Sequence, residues 1–438
     1  MSTVGVCAAP DEAPWSCSIE RRSASLFGAL QYAEGSARVW QRAGRNQTLM
    51  LTDKEVREIR SRFQIFQRKI YLNTCSQGAL SGAVENGMTE FISSWHGQGS
   101  PWETWVERYE AARTAFAKFI HASPDEVAIV TSVSAGINGI ASALNFRERN
   151  KVVMGEFEFP TMGHVWLAQA IRGADVQFAK AEGNTIPAAN YEKLIDRNTL
   201  VVPLTHVCFK NGFRTQVGPI EKLAHSAGAL VMLDDYQDCG TRPVDVKAIN
   251  LDFYVAGTLK YLLGPPGLAF LYVRKELIPS LAPSVTGWFG QANPFAYNPQ
   301  RFELSPTARR FESGSPSVPN VYGAMPGFQM LQEIGMEHIA SHVKNLTQSL
   351  LSCSRDLGIL AKTPGGSSGP LVVLQCQDST QMLQKLAQSG IVASNRFDGL
   401  RISFHVYNTL DDVNAVAEVL EKNMHLMTVA RAGDGSHD

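Results

Sequence analysis

The chain has 438 residues, of which 44% are hydrophobic and 18% charged, with 36 Gly and 21 Pro. This composition excludes disordered, collagen-like and coiled-coil chains, and the length allows two or three domains. Forty basic and 41 acidic residues leave a net charge of −1, so there is no basic excess to neutralise nucleic acid or an anionic membrane.

No stretch approaches the roughly 18 uninterrupted apolar residues of a membrane span. The seven cysteines (7, 17, 75, 208, 239, 353, 376) are scattered and form no CxxC pair, which argues against a metal site. The opening MSTVGVCAAPDEAPWS has no basic residue and no apolar core, unlike a secretory signal. A reduced, cytoplasmic protein is the expectation.

Residues 1–48 show weak periodicity and read as an N-terminal extension. Thr52-Asp53-Lys54-Glu55 is a capping box, which predicts a helix to about Gln67. A short strand is expected at 70–73. Trp105, Tyr109, Ala112, Phe116 and Phe119 then recur at helical spacing.

Short apolar runs follow at 127–131, 152–154, 176–179, 200–204, 229–233, 252–256 and 268–273. The early ones alternate with helix-length segments, which predicts a mainly parallel sheet covered on both faces. The last two are joined through GPPG with no room for a crossover helix, so one antiparallel strand is expected. Beyond the loop-rich stretch 283–320, helices are expected near 321–334 and 337–356. A smaller α+β unit then has strands at 370–376, 391–394 and 400–405, and a helix at 380–389. Thr409 and Asp412 open a last helix, and the tail 429–438 reads as frayed.

Chemistry gathers at strand ends. Asp234 closes the run 229–233, where ligands of open α/β sheets collect. Alone it reads as a turn or capping Asp. Lys260, in AGTLKYLLGPPG, sits among apolar residues. Alone it reads as a snorkelling lysine, or as an amine made nucleophilic by desolvation. Together, a strand-end carboxylate and a lysine at the next strand end suit pyridoxal 5′-phosphate (PLP). The lysine would form a Schiff base with the aldehyde, and the carboxylate would keep the ring nitrogen protonated. TSVSAGING (131–139) opens a helix whose Val133 and Ser134 amides, and the Ser134 hydroxyl, could face a phosphate. A plain Ser cap explains that stretch equally well.

Several ordered segments resemble the class-V aminotransferase superfamily of fold-type-I PLP enzymes, a group that holds cysteine desulfurases, selenocysteine lyases, kynureninase and isopenicillin-N-epimerase-like proteins. They are YLNTCSQG (71–78), TSVSAGING, EFPT (158–161), THV (205–207), GALVMLDDYQDCG (228–240), GTLKYLLGPPG (257–267), FESGSP (311–316) and RISFHVYNT (401–409). The resemblance implies a seven-stranded, mainly parallel sheet in a large PLP-binding domain (81–309). A small α+β domain would combine 49–80 and 310–428.

The same resemblance implies roles. Asp234 pairs with the pyridine nitrogen, Gln237 with the phenolic oxygen, and Lys260 carries the cofactor. Phe159 takes a ring-stacking slot where desulfurases often place a histidine. Thr258 could offer a phosphate hydroxyl. Gly314 and Ser315 match a loop that reaches the phosphate of a neighbouring subunit, implying a homodimer. Arg401 grips the substrate α-carboxylate. By period two, Arg401, Ser403 and His405 share one strand face, and Asn73 and His405 are further candidate substrate contacts. His405 reads as a structural histidine rather than an acid or base, and His164 and His206 could lie near the cofactor but do not read as catalytic.

Departures from the pattern narrow the reaction. Residues 377–400 contain no cysteine, so a persulfide-forming desulfurase is disfavoured. Cys75, Cys208 and Cys239 read as small buried hydrophobes. Phe209 stands where relatives often have a polar contact. Lys210 and Arg214 could recognise a distal anion or could be surface charges. The best expectation is β-elimination from a cysteine-type conjugate. An aminotransferase, or an epimerase or decarboxylase, is the alternative.

Overall fold

The computed structural model describes residues 50–430; the extension at 1–48 and all but the start of the expected tail lie outside the described residues. The chain opens with α1 (Asp53–Arg60), whose N-cap Thr52 and Glu55 form the expected capping box. The helix ends at Arg60, and a short 3₁₀ turn at Gln64–Gln67 takes up the rest of the expected span. Strand β1 is only Ile70–Tyr71, while Asn73 makes a separate bridge to Ser403. Helix α2 (Gly82–Gln98) has no counterpart in the sequence expectations; its mixture of Gly, Asn and Thr blurs the periodicity. Helix α3 (Trp102–Phe119) carries the expected apolar face.

The large sheet has seven strands: β2 (Val127–Val130), β3 (Lys151–Gly155), β4 (Asp175–Ala179), β5 (Thr199–Thr205), β6 (Leu230–Asp234), β7 (Phe253–Gly257) and β8 (Ala269–Val273). Their order is β2-β8-β7-β6-β5-β3-β4. Strand β8 is antiparallel to both neighbours, and the other pairings are parallel. The short β7–β8 link allows only a hairpin, so it inserts the reversed strand that GPPG predicts.

Successive strand residues face opposite cores. Val231, Leu233, Tyr254 and Phe270 join Phe116 on one side, while Met232, Phe253, Val255 and Leu271 join Ile137 and Trp166 on the other. Phe116 stacks on Phe270 with ring centroids 4.1 Å apart. Helices α4 (Val133–Ala143), α5 (Pro160–Leu167), α6 (Ala188–Glu192) and α7 (Val217–Ser226) follow strands in the βα rhythm.

Helix α8 (Val318–Ile334) packs on α2 and α3 and starts three residues earlier than expected. Then come α9 (Met336–Asp356), β9 (Leu371–Gln375), α10 (Ser379–Gln388), β10 (Ile391–Val392), β11 (Ser394–Arg396), β12 (Gly399–Ser403) and α11 (Leu410–Lys422). The expected strand at 391–394 is thus two strands: β10 pairs with β1, and β11 joins a β11-β12-β9 sheet. At the tail, Ala430 N–H donates to Gly358 O at 2.9 Å, so order persists one residue past Val429.

Candidate active site

Two of the expected site residues sit at the carboxyl ends of parallel strands. Asp234 is the last residue of β6, and the Lys260 turn follows β7 directly. Asp234 is buried, and one carboxylate oxygen accepts the Tyr236 N–H at 3.0 Å. Burial pushes this carboxyl up to about 6, against the Tyr236 bond and the positive Lys260. Burial likewise pushes the Lys260 amine down to about 8, against the upward pull of Asp234. The Lys260 Nζ lies over the Tyr236 ring, 4.1 Å from its centroid, and 5.7 Å from that of Phe159. Such an amine has a substantial neutral fraction near neutral pH, which a nucleophile needs.

The lysine turn is clamped by close backbone approaches. A Cβ on Gly78 would fall 2.5 Å from Lys260 O, and one on Gly240 (φ +104°) would fall 2.2 Å from Tyr261 O. Only glycine fits either place. Thr258 corrects an expectation. Its hydroxyl is fully buried and donates to Pro265 O at 2.6 Å, with Leu268 O at 3.2 Å. It closes the lysine turn rather than presenting an O–H to a phosphate.

Arg401 lies on β12, the middle strand of the three-stranded sheet, opposite Val373 and Ser394. It is buried, yet no carboxylate among the described residues pairs with it. Its Nη2 reaches Cys75 O at 3.5 Å, and its Nε has no partner. Gln237 Nε2 donates to that same carbonyl at 3.1 Å, leaving Gln237 Oε1 unpartnered. The Cys75 backbone is held in turn by its N–H, which donates to Ser403 Oγ at 3.0 Å. The half-buried Asn73 belongs to this segment through its bridge to Ser403.

His405 corrects a second expectation. It lies beyond the end of β12 and is fully buried. Its Nε2–H donates to Tyr261 O at 2.8 Å, and Nδ1 accepts the Val406 N–H. Burial pushes it down to about 4, so it is a neutral brace behind Tyr261. His206 is also structural: Nδ1 meets Asp235 at 2.6 Å and Nε2 meets Arg242 at 3.0 Å. His206, Asp235 and Asp238 cluster closely enough to hold a cation, but Arg214 and Arg242 already neutralise Asp238. His164 is exposed on α5.

At α4, Ser132 is the cap and accepts the Ala135 N–H at 3.0 Å. Helical bonding begins with Gly136 N–H to Ser132 O, so the Val133 and Ser134 amides have no partner within the helix. Ser134 Oγ lies 3.1 Å from Thr161 Oγ1, which links this turn to the segment containing Phe159. Phe159 is 42% exposed and meets Phe209 edge-on. Gly314 and Ser315 are exposed in the turn before α8.

Sequence reasoning missed three contributors. Tyr236 faces the lysine, and the Cys75 carbonyl gathers Gln237 and Arg401. The third is Glu158, whose carboxylate accepts both the hydroxyl and the N–H of Thr205. Burial pushes it up to about 8, against those bonds and helped by the negative Asp234. Its position directly before Phe159 was the available signal.

These residues fit PLP. Two buried polar atoms without partners (Arg401 Nε and Gln237 Oε1), a desolvated lysine coupled to a buried carboxylate and a helix start with free amides are polar groups of the kind it uses. The family model for class-V aminotransferases matches residues 80–416, and the chain belongs to this family of PLP-dependent enzymes. More particularly, it is 34% identical to an uncharacterized aminotransferase, YcbU, of Bacillus subtilis (strain 168), over 84% of this chain and 98% of that protein. It is 27% identical to a probable cysteine desulfurase of Methanothermobacter thermautotrophicus, over 83% of this chain and 97% of the relative. In fold it resembles the apo cysteine desulfurase of Thermococcus onnurineus NA1 (TM-score 0.77, 21% identity, 84% of this chain and 97% of that one). Among the described residues, no helix is long and apolar enough to cross a membrane.

Proposed function

We propose that this enzyme is a carbon–sulfur lyase that acts by β-elimination on a cysteine-type conjugate. The observation that carries the reading is a desulfurase-like frame whose β11–β12 hairpin holds Arg396 and Phe397 but no thiol. A desulfurase needs a cysteine to accept sulfur, whereas a lyase releases the sulfur as a free thiol.

In this reading the large domain (81–309) and the small domain (49–80 and 310–428) both supply the site, and a second subunit brings Gly314 and Ser315 to the phosphate. Lys260 holds PLP covalently, and Asp234 keeps a proton on its ring nitrogen. Gln237 has a second Nε2 hydrogen to offer the phenolic oxygen. Val133, Ser134 and the α4 start take the phosphate, and Phe159 covers a ring face. Bound there, PLP supplies an acceptor for the electron pair released at Cα.

The chain's own groups do the rest. Arg401 grips the α-carboxylate in a dry site, where a guanidinium fork binds strongly. Asn73 borders the same substrate pocket. The Lys260 amine, once free, removes the Cα proton; its value of about 8 leaves it able to act near neutral pH. Phe159 has no proton to give, so it orients and excludes water only.

The test is a product balance on S-substituted cysteines. β-Elimination with one water gives thiol, pyruvate and ammonium in equal amounts. A keto acid without ammonium would instead mark transamination. Deuterium entering Cα from solvent with no product would mark epimerisation.

A further inference from the structure

From Lys260 Nζ, three phenylalanines and a lysine form a connected series: exposed Phe159, buried Phe209, Lys210 and exposed Phe397. Phe159 is 5.7 Å away by centroid, and Phe209 packs edge-on against Phe159 at 5.0 Å. Beyond Phe209 comes Lys210, whose Nζ is 5.8 Å from the Phe209 ring and 5.9 Å from that of Phe397. A Cβ placed on Gly399 of β12 would lie 3.8 Å from Lys210 O, so the two segments are neighbours.

Phe397 is unusual on two counts. It is 77% exposed, and its φ is +55°, a left-handed conformation costly for a bulky residue. Beside it, Arg396 is exposed, and among the described residues its guanidinium donates only to Asn395 O. Neither Lys210 nor Arg396 makes an ion pair among the described residues. Two neighbouring acids are already engaged: Glu156, which feels the Lys210 charge, pairs with Lys180, and Asp398, two residues from Arg396, pairs with Lys362. Arg396 is close enough to Lys260 to help depress its amine. Arg214, the other cation expected to meet a distal anion, is locked onto Asp238 at 3.0 Å and leaves the set.

We infer that Phe209, Phe397, Lys210 and Arg396 form a side-chain subsite for an amino acid with an extended apolar or aromatic side chain ending in an acidic group. This rests on the amino-acid reading of the site and narrows its substrate class. Aromatic walls suit the apolar stem, and two unneutralised cations at the outer end suit an anion. A small neutral substrate would leave both cations and the strained Phe397 without a role.

The probes are S-(4-carboxybenzyl)-L-cysteine, S-benzyl-L-cysteine and glycine. Their dissociation constants are read from the visible spectrum of the PLP-loaded enzyme. The acidic probe is expected to bind about tenfold more tightly than the benzyl probe, as two partly exposed ion pairs allow. In the double variant Lys210→Gln/Arg396→Gln that ratio falls close to one. Equal binding of the two conjugates by the native enzyme, or a preference that survives the double substitution, overturns the subsite alone. No spectral response to any probe, glycine included, overturns the amino-acid reading and the subsite with it.

Discussion

The Nη2 of Arg401 lies 3.5 Å from the carbonyl oxygen of Cys75, and that neutral oxygen is the only hydrogen-bond partner its guanidinium has among the described residues. A buried cation so poorly compensated is a standing demand for an anion. Arg401→Lys keeps the charge but loses the planar fork. It is expected to raise KM about a hundredfold, some 3 kcal/mol, as for a truncated buried charge pair. The effect on kcat is much smaller. Steady-state kinetics checks the split, and an equal fall in kcat would place Arg401 outside carboxylate binding.

Cys75 contributes through its carbonyl, which a side-chain change leaves in place. Cys75→Ser is therefore expected to keep most of the activity and the full thiol yield. Loss of the thiol product, or a persulfide on Cys75 detected by mass spectrometry after turnover, would make it a sulfur acceptor.

Glu158 makes folding pH-dependent. Its folded value is raised from the usual 4.5 to about 8, so between those limits the native state holds more protons than the unfolded one. Stability then falls as pH rises through that window, and the loss is complete above about 8. Glu158→Gln removes the contribution. Its apoprotein should lose less Tm than the native apoprotein between pH 6.5 and 8. This interval lies above the Asp234 value of about 6 and stops where the lowered Lys260 begins to act in the opposite direction. Parallel Tm curves would refute the assignment.

Glu312, in the turn leading to Gly314 and Ser315, is buried against Arg113 and accepts the Ile129 N–H at 2.9 Å. Arg113 also donates to Val127 O at 2.7 Å, so this one pair ties α3, β2 and the turn together. Glu312→Ala should cost about 2 to 3 kcal/mol in urea denaturation, because the buried guanidinium loses its buried carboxylate and keeps only the half-exposed Glu110 and the Val127 carbonyl. Arg113→Met combined with Glu312→Leu should recover much of that loss.

Lys260 and Asp234 were legible because each follows an apolar run whose parallel-strand character was clear, and the GPPG link fixed the reversed strand. The large sheet was readable for the same reason: its strands are buried on both faces and their sequences are continuously apolar. The Cys75 carbonyl was not legible, since a backbone group leaves no mark in sequence. Thr258 looked free because the loop that folds back to take its hydroxyl is a tertiary event. His405 followed the alternation from Arg401, but β12 stops at Ser403, and beyond a strand's end period two carries no information.

On the proposed reading, Arg401 at mid-strand and Phe397 at the adjoining tip separate what every amino acid shares from what distinguishes one from another. Residues 395–398 could be randomised as a cassette, or transplanted from a homologue, while the carboxylate anchor stays buried between two flanking strands. Laboratory evolution of new substrate ranges would do well to start at that tip.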